Sequence, residues 1–181
     1  MLLHASHSVL LIIDIQNKLA PHIHQAAKVV NTAQWLIEVA RELDVPVRAS
    51  EQYPKGLGGT VTPLAELLAD NEILQKMHFS ALKEESIKDH FAELNRQQVV
   101  MVGTETHVCC LQTAAELLEN GYQVFLVEEG LGSRDPQDKK LALERLKQAG
   151  AQIVSKEMVA FEWLEKAGTD AFRKVSKGWI K

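Results

Sequence analysis

Residues 98–121 read QVVMVGTETHVCCLQTAAELLENG, and this stretch decides the fold of the chain. Its first part, Val99 to Val102, is a short apolar run with β-branched residues, which is typical of a buried strand. Gly103 to Thr106 predicts a turn, and apolar residues then recur at helical spacing until Asn120-Gly121 ends the pattern. The pattern therefore places Cys109 in the first turn of a helix that begins where a buried strand ends.

The start of a helix is a favourable place for a reactive cysteine. Unpaired N–H groups and the positive end of the helix dipole stabilise a thiolate there, which lowers the pKa of the thiol. The same N–H groups can hold a developing oxyanion. A free cysteine is also commonly a small buried hydrophobe, so position alone leaves both interpretations of Cys109 open. Two adjacent helical residues cannot both face the end of the strand, and Cys110 is therefore predicted to be a core residue.

Composition favours one domain that acts on a small molecule. The 181 residues can bury roughly 70% of their unfolded surface, and since no linker or repeat divides them we predict a single domain over residues 1–181. A net charge of -4 and 6% aromatic residues, without a basic stripe, argue against a nucleic-acid partner. No apolar run is long enough for a membrane span. Two adjacent cysteines, and a start without a cleavage site, favour a reducing, cytoplasmic location.

Strand and helix patterns alternate along the chain. Strands are predicted at Ser8–Asp14, Val45–Ala49, Glu72–Lys76, Val99–Val102, Gln123–Val127 and Ala151–Val154. Helices are predicted at Ala26–Leu43, Pro63–Leu68, Glu84–Leu94, after Thr106, and at Gln137–Gln148, Glu157–Lys166 and Asp170–Val175, with loops at Ser50–Thr62 and Glu128–Pro136. Alternation with wholly apolar strands predicts an α/β fold, a three-layer α-β-α sandwich around a mainly parallel six-stranded sheet.

Three chemically useful residues fall at the ends of these predicted strands. Asp14 ends the first strand, Lys76 ends the third, and Cys109 begins the helix after the fourth. Parallel sheets bind ligands at the carboxyl ends of their strands, so we expect these side chains to share one site. Singly, Asp14 could be a turn former and Lys76 a solvated charge. Together they predict a covalent catalyst that hydrolyses a C–N bond, an amide, with a cysteine nucleophile, a carboxylate base and a stabilising ammonium.

With these residues in place, the chain resembles the isochorismatase-like cysteine hydrolase family, which includes nicotinamidases and N-carbamoylsarcosine amidohydrolases. The resemblance covers about residues 8–160. It rests on VLLIIDIQ, on the lysine of QKMHFSAL and above all on VVMVGTETHVCCLQTAAELLENGYQVFLVEEGLGSRD. Within the family the chain is most similar to the small isochorismatase domain-containing proteins, because of SEQYPKGLGGTV and KKLALERLKQAGAQIVSKEM.

The resemblance implies a role for each of these residues. It implies that Asp14 is the base, that Lys76 stabilises the thiolate and the intermediate, and that Cys109 is the nucleophile. It also implies a non-proline cis peptide bond at Thr104-Glu105, which would direct the N–H of Glu105, with that of Cys109, at the oxyanion.

The chain departs from two branches of the family. Nicotinamidases commonly bind a metal through an aspartate and histidines after the second strand, and the matching ASEQYPKGLGG has neither, so we predict no metal and no other cofactor. True isochorismatases cleave a vinyl ether and lack the nucleophilic cysteine, so Cys109 argues against that activity. Relatives are commonly dimers or larger, which implies a homo-oligomer.

Four further residues are candidates for substrate binding. Gln16, two positions past Asp14, either touches the substrate or bonds only to loop backbone. Tyr53, Phe79 and His107 are candidate pocket walls, although packing for the aromatic residues and hydrogen bonding at the helix start for the histidine are the alternatives. Two other functions stay open on sequence alone: a redox-active thiol protein, and a catalytically idle scaffold that binds a protein partner.

Overall fold

The computed structural model describes residues 1–180 and confirms the α/β architecture. The strands are β1 (Ser8–Ile13), β2 (Val47–Gln52), β3 (Ile73–Lys76), β4 (Gln98–Thr104), β5 (Gln123–Gly132) and β6 (Gln152–Val154). The α-helices are α1 (Ala26–Glu42), α2 (Pro54–Leu57), α3 (Thr62–Ala65), α4 (Glu85–Leu94), α5 (Leu111–Glu119), α6 (Pro136–Gln148), α7 (Lys156–Leu164) and α8 (Asp170–Gly178). The six strands form one sheet in the order β3-β2-β1-β4-β5-β6, and each neighbouring pair is parallel.

The sheet is the middle layer of three because the buried strands are apolar on both faces. In β1, Leu10 and Ile12 join a cluster with Leu36 of α1 and with residues of α7 and α8. The alternate residues of β1 join a second cluster that includes Phe91 of α4 and Leu117 of α5. Side chains of a strand alternate between faces, so wholly apolar strands require helices on both sides.

Two strands extend into segments that the sequence predicts as loops. β2 continues from Ala49 to Gln52, and β5 continues from Val127 to Gly132. In β5 the reason is pairing: Gly132 lies opposite Thr104 of β4, after a shift of register near Gly103. Polar residues in both extensions hide the strand pattern in the sequence.

A close approach of β1 and β4 fixes the carboxyl edge of the sheet. Gly103 pairs with Ile13, and a Cβ atom at Gly103 would lie 2.2 Å from the Ile13 carbonyl oxygen. The φ angle of Gly103 is +136°, a backbone conformation that residues with a side chain rarely adopt. Only glycine therefore allows the two strands to end side by side where the candidate site begins. Across the described chain, none of the helices has the length and hydropathy to cross a membrane.

Candidate active site

A buried ion pair lies at the carboxyl edge of the sheet. Lys76 Nζ is 2.8 Å from Asp14 Oδ2, and both side chains have 0% exposure. Ser50 Oγ donates a hydrogen bond of 2.7 Å to the other carboxylate oxygen, Oδ1. Lys76 also donates to Gln52 Oε1 at 2.6 Å and to the Phe79 carbonyl oxygen at 2.9 Å. Each charge is therefore held by fixed polar partners, as a buried pair requires.

The backbone of Asp14 is held by the strands on both sides. Its N–H donates to the Ser50 carbonyl oxygen of β2 at 3.1 Å, and its carbonyl oxygen accepts from Thr104 Oγ1 of β4 at 2.7 Å. Asp14 adopts a left-handed backbone conformation with φ of 47°. Such conformations persist in non-glycine residues where the surroundings hold them, and they concentrate at functional sites.

Cys109 comes from the segment that follows β4. The peptide bond Thr104-Glu105 is cis, as the resemblance implied, and a π-helical turn at Thr106–Cys110 then leads into α5. Cys109 is 6% exposed, and its thiol lies close enough to Asp14 and Lys76 for both to influence its pKa. Cys110 is wholly buried in the core, which confirms its predicted place.

The expected lowering of the Cys109 pKa was wrong. Burial, followed by the negative charge of Asp14, raises the pKa of the Cys109 thiol to about 12, against a smaller opposing effect of Lys76. Removing a thiolate from water beside a carboxylate outweighs the favourable helix start. The resting side chain is therefore a thiol, and attack on a carbonyl carbon requires a base that takes its proton. Asp14 is in position to be that base.

A small cavity of about 130 Å³ lies over Cys109. Its lining consists of Asp14, Leu19, Gln52, Leu57, Phe79, Glu105, Val108 and Cys109. A cavity of this size has room for several water molecules. The part of a ligand that reaches Cys109 is therefore small, and it meets apolar walls with a few polar groups.

The predicted wall residues divide between two places. Phe79 lines the cavity over Cys109. Tyr53 is 48% exposed and lines a different cavity, together with Lys76. His107 does not line the Cys109 cavity; its Nδ1 lies 2.9 Å from Ser133 Oγ. Of these three residues, Phe79 is the one that lines the same cavity as Cys109.

Gln16 fills the second of its two predicted roles. Its Nε2 donates to the carbonyl oxygens of Gln52 and Gly58 at 3.0 and 2.7 Å, and its Oε1 accepts from the Gln52 N–H at 2.8 Å. The side chain is wholly buried and outside the lining of the cavity over the thiol. Gln16 therefore bonds to loop backbone and holds the loop after β2 in place.

Two polar residues of the site escaped the sequence reasoning. Ser50 and Gln52 contact Asp14 and Lys76 from the last three residues of β2, a segment predicted to be loop. The alternation of side chains along a strand could have found them. If β2 is extended to Gln52, Ser50 and Gln52 lie two residues apart and therefore on the same face. Register then aligns Gln52 with Lys76 and Ser50 with Ile13.

The metal prediction concerns the same edge of the sheet. Within residues 1–180 no group of three or more His, Cys, Asp or Glu side chains could hold a metal ion. The ligand set that nicotinamidases commonly use is therefore missing from the described chain, while independence from metals stays a prediction.

A comparison with family models now identifies the relatives of this chain. The model described as Isochorismatase domain matches residues 8–158. The chain belongs to the isochorismatase family. Isochorismatase domain-containing protein 2 of Danio rerio is 37% identical over 172 residues, which cover 94% of this chain and 85% of the relative. The family and its fold support a hydrolase.

Solved structures of isochorismatase-like proteins share the whole architecture. A structure of MAR1 ribonuclease from Caenorhabditis elegans superposes with a TM-score of 0.93 at 35% identity, covering 100% of this chain and 93% of that one. The YcaC protein of Escherichia coli, described as an octameric hydrolase of unknown specificity, has a TM-score of 0.89 at 21% identity over 97% of this chain and 89% of its own. At that identity YcaC shows the shared fold alone.

Proposed function

We propose that this protein is a metal-independent cysteine hydrolase that cleaves the C–N bond of a small amide-type metabolite through a thioester. One observation carries the proposal: Asp14, Lys76 and Cys109 meet beside a cavity of about 130 Å³ in which a small carbonyl compound fits. Nucleophile, base and charged stabiliser within contact of one another form a working covalent catalyst.

The first half of the reaction transfers an acyl group to the thiol. Asp14 removes the proton from Cys109 as sulfur attacks the carbonyl carbon, and the carbonyl oxygen becomes an oxyanion. The oxyanion is stabilised by N–H groups of Glu105 and Cys109 at the start of the helix. Collapse of the intermediate breaks the C–N bond, and Asp14 returns the proton to the departing nitrogen. Lys76 stabilises the sulfur anion as it forms.

The second half releases the acid. Asp14, again a carboxylate, takes a proton from water as the water oxygen attacks the thioester carbon. Cleavage of the C–S bond frees the carboxylic acid, and the proton on Asp14 returns to the Cys109 sulfur. The net reaction consumes one water and needs no oxidant, reductant or metal.

The high pKa of the thiol separates this proposal from a redox function. Oxidation of cysteine follows thiolate character and exposure, and Cys109 is buried with its pKa raised to about 12. A hydrolase with a general base can use such a thiol, because the proton leaves only as the bond to carbon forms. Burial and the raised pKa of Cys109 therefore favour hydrolysis over a redox role.

A ribonuclease activity is the outcome suggested by the name of the Caenorhabditis elegans relative. The cavity over Cys109 is small, about 130 Å³, and the chain has a net charge of -4. Electrostatic attraction supplies most of the affinity for a phosphate backbone, so an acidic chain is poorly suited to it. We expect no RNA cleavage that depends on Cys109.

Two further features belong to the proposal. We expect a homo-oligomer, as YcaC is described to be, with the mass to be read from light scattering on a sizing column.

We also expect the protein to work in the cytoplasm, where the two free thiols at Cys109 and Cys110 stay reduced.

A screen of small amides and ureides, read by release of ammonia, tests the function. Cys109→Ala and Asp14→Asn should abolish turnover of any hit, and Cys110→Ala, a matched loss of a neighbouring thiol, should keep it. Chelator-treated protein should retain the activity. Turnover that survives Cys109→Ala would contradict the proposal, and cleavage of RNA lost in the same variant would replace it with the ribonuclease function.

A further inference from the structure

Glu105 lines the cavity over Cys109, and the proposed mechanism uses only its backbone N–H. The residue is 8% exposed and lines the cavity. Its Oε2 accepts hydrogen bonds from Arg134, at 3.2 Å from the backbone N–H and at 3.1 Å from Nε. These two donors hold one oxygen of the carboxylate.

The second oxygen of Glu105 is left for an occupant of the cavity. Every hydrogen bond that the described residues give this carboxylate goes to Oε2. Oε1 is not among the fully buried side-chain atoms that lack a partner within residues 1–180. Oε1 therefore keeps accessible surface and accepts no hydrogen bond from the described residues, so it is free to accept one from an occupant of the cavity that Glu105 lines.

Other polar groups of the cavity are already engaged. The Asp14 carboxylate is held by Ser50 and Lys76. Gln52 accepts from Lys76 through Oε1 and donates to the Met77 carbonyl oxygen through Nε2 at 2.7 Å. The remaining walls, Leu19, Leu57, Phe79 and Val108, are apolar. Besides Asp14, the proposed base, Glu105 is thus the charged acceptor that a bound molecule meets there.

We propose that Glu105 determines substrate specificity by accepting a hydrogen bond from an N–H group of the molecule that enters this cavity. The class selected is a neutral carboxamide or ureide, and a carboxylate of the same shape is rejected. An N–H donor gains a charge-assisted hydrogen bond to the carboxylate. An anion instead meets like charge in a small cavity, which is the repulsive element that specificity requires. The inference rests on the proposed function only where it names this molecule as the substrate.

Two alkylating reagents of nearly equal shape test the inference without a known substrate. Iodoacetamide carries a carboxamide and iodoacetate a carboxylate, and both modify a cysteine sulfur. The rate constant for each at Cys109 is measured at one pH by peptide mass mapping, and their ratio is divided by the ratio for free cysteine. The normalised ratio cancels changes in thiolate content, because both reagents react with the same thiolate.

The wild-type protein should favour iodoacetamide, and Glu105→Gln should lower the normalised ratio by about tenfold or more, as expected where a polar group selects its partner. Glu116→Gln is the matched control. Glu116 accepts from Ser80 Oγ at 2.7 Å, outside the cavity lining, so its ratio should equal that of the wild type. Equal ratios in wild type and Glu105→Gln would overturn the inference.

A second variant keeps the test decisive if Glu105→Gln fails to fold. Arg134→Ala removes the cation beside the carboxylate and leaves Glu105 in place, so it should raise the ratio. A ratio that is unchanged or falls would contradict the inference. The readout is alkylation alone: a Glu105 effect without amide turnover would retain the inference and reject the hydrolase, and turnover with an unchanged ratio would do the reverse.

Discussion

Lys76 Nζ lies 2.8 Å from Asp14 Oδ2, and neither side chain reaches solvent. Two opposite charges removed from water depend on each other, because the loss of one leaves the other buried without compensation. The pair is therefore a stability element as well as the proposed source of base and stabiliser. Measuring unfolding instead of turnover tests the contribution of the pair to stability independently of its proposed catalytic role.

Removing either member of the pair should destabilise the protein. We expect Lys76→Met and Asp14→Asn each to lower the free energy of unfolding by about 3 to 5 kcal/mol, and the double variant to lose much less than the sum. Urea unfolding of the four proteins gives the coupling. Additive single effects would show that the two charges do not depend on each other.

The reactivity of Cys109 should rise only at high pH. Since burial and Asp14 raise its pKa to about 12, alkylation by iodoacetamide should keep increasing well above the free cysteine value of about 8.5. Asp14→Asn removes a charge that raises the pKa and should shift the profile to lower pH, whereas Lys76→Met should shift it higher. An Asp14→Asn profile that matches the wild type would contradict the assignment.

The Asp14→Asn variant also distinguishes a catalytic base from a residue that is only a neighbour of Cys109. Asp14→Asn should carry the more reactive thiol and yet fail to hydrolyse any amide that the wild type cleaves, because no group remains to move the proton. Retained turnover in this variant would remove Asp14 from the mechanism.

Gly103→Ala should disrupt the edge of the sheet that carries the site. Its Cβ would meet the Ile13 backbone, with the carbonyl oxygen at 2.2 Å, and the φ angle of +136° is itself unfavourable. We expect a loss of about 3 kcal/mol or more in the free energy of unfolding. Gly121→Ala is the control: its φ is +85° with nothing within 4 Å of the added Cβ, so about 1 kcal/mol should be lost. Equal losses at both glycines would refute a steric cause.

Stability should fall between neutral and mildly acidic pH because of His90. Arg48 Nε donates to His90 Nε2, and burial, then the positive charge of Arg48, lowers the pKa of His90 against an opposing effect of Glu93. The unfolded chain then binds the extra proton below its own pKa of about 6.5. The contribution of His90 is present above that pH and is lost as pH falls through the lower folded value.

Thermal unfolding at pH 7.5 and pH 5 measures this effect. His90→Gln retains an acceptor for Arg48 without a titrating ring, so its melting temperature should fall less over this range than that of the wild type. His24→Gln, a change at an exposed histidine, should behave like the wild type. A wild-type pH dependence in His90→Gln would exclude this residue as the cause.

The sequence was most informative where an apolar run stops. Asp14, Lys76 and Cys109 could be placed because each stands at the end of a pattern that predicts an element, and parallel topology brings such ends together. Ser50 and Gln52 could not, because β2 ends in polar residues that read as loop. Their burial is made possible by hydrogen bonds that only the folded chain supplies, such as those from Gln52 to Gln16 and Met77.

The error about the Cys109 pKa has a similar origin. A helix start is visible in the sequence, and its effect on a thiol is favourable. The depth of burial and the contact with Asp14 depend on how β1 and β4 end beside each other, which no local pattern records. The pKa of a buried thiol therefore depends on packing that only the folded structure shows.

The most direct test of a cysteine hydrolase is to find the acyl group on the sulfur. Protein mixed with a turned-over amide and quenched in acid should carry the mass of the acyl group on the peptide that contains Cys109, in the wild type and in Cys110→Ala alike. The adduct should be absent from Cys109→Ala. Turnover with no adduct at this residue, or with an adduct on Cys110 instead, would contradict covalent catalysis by Cys109.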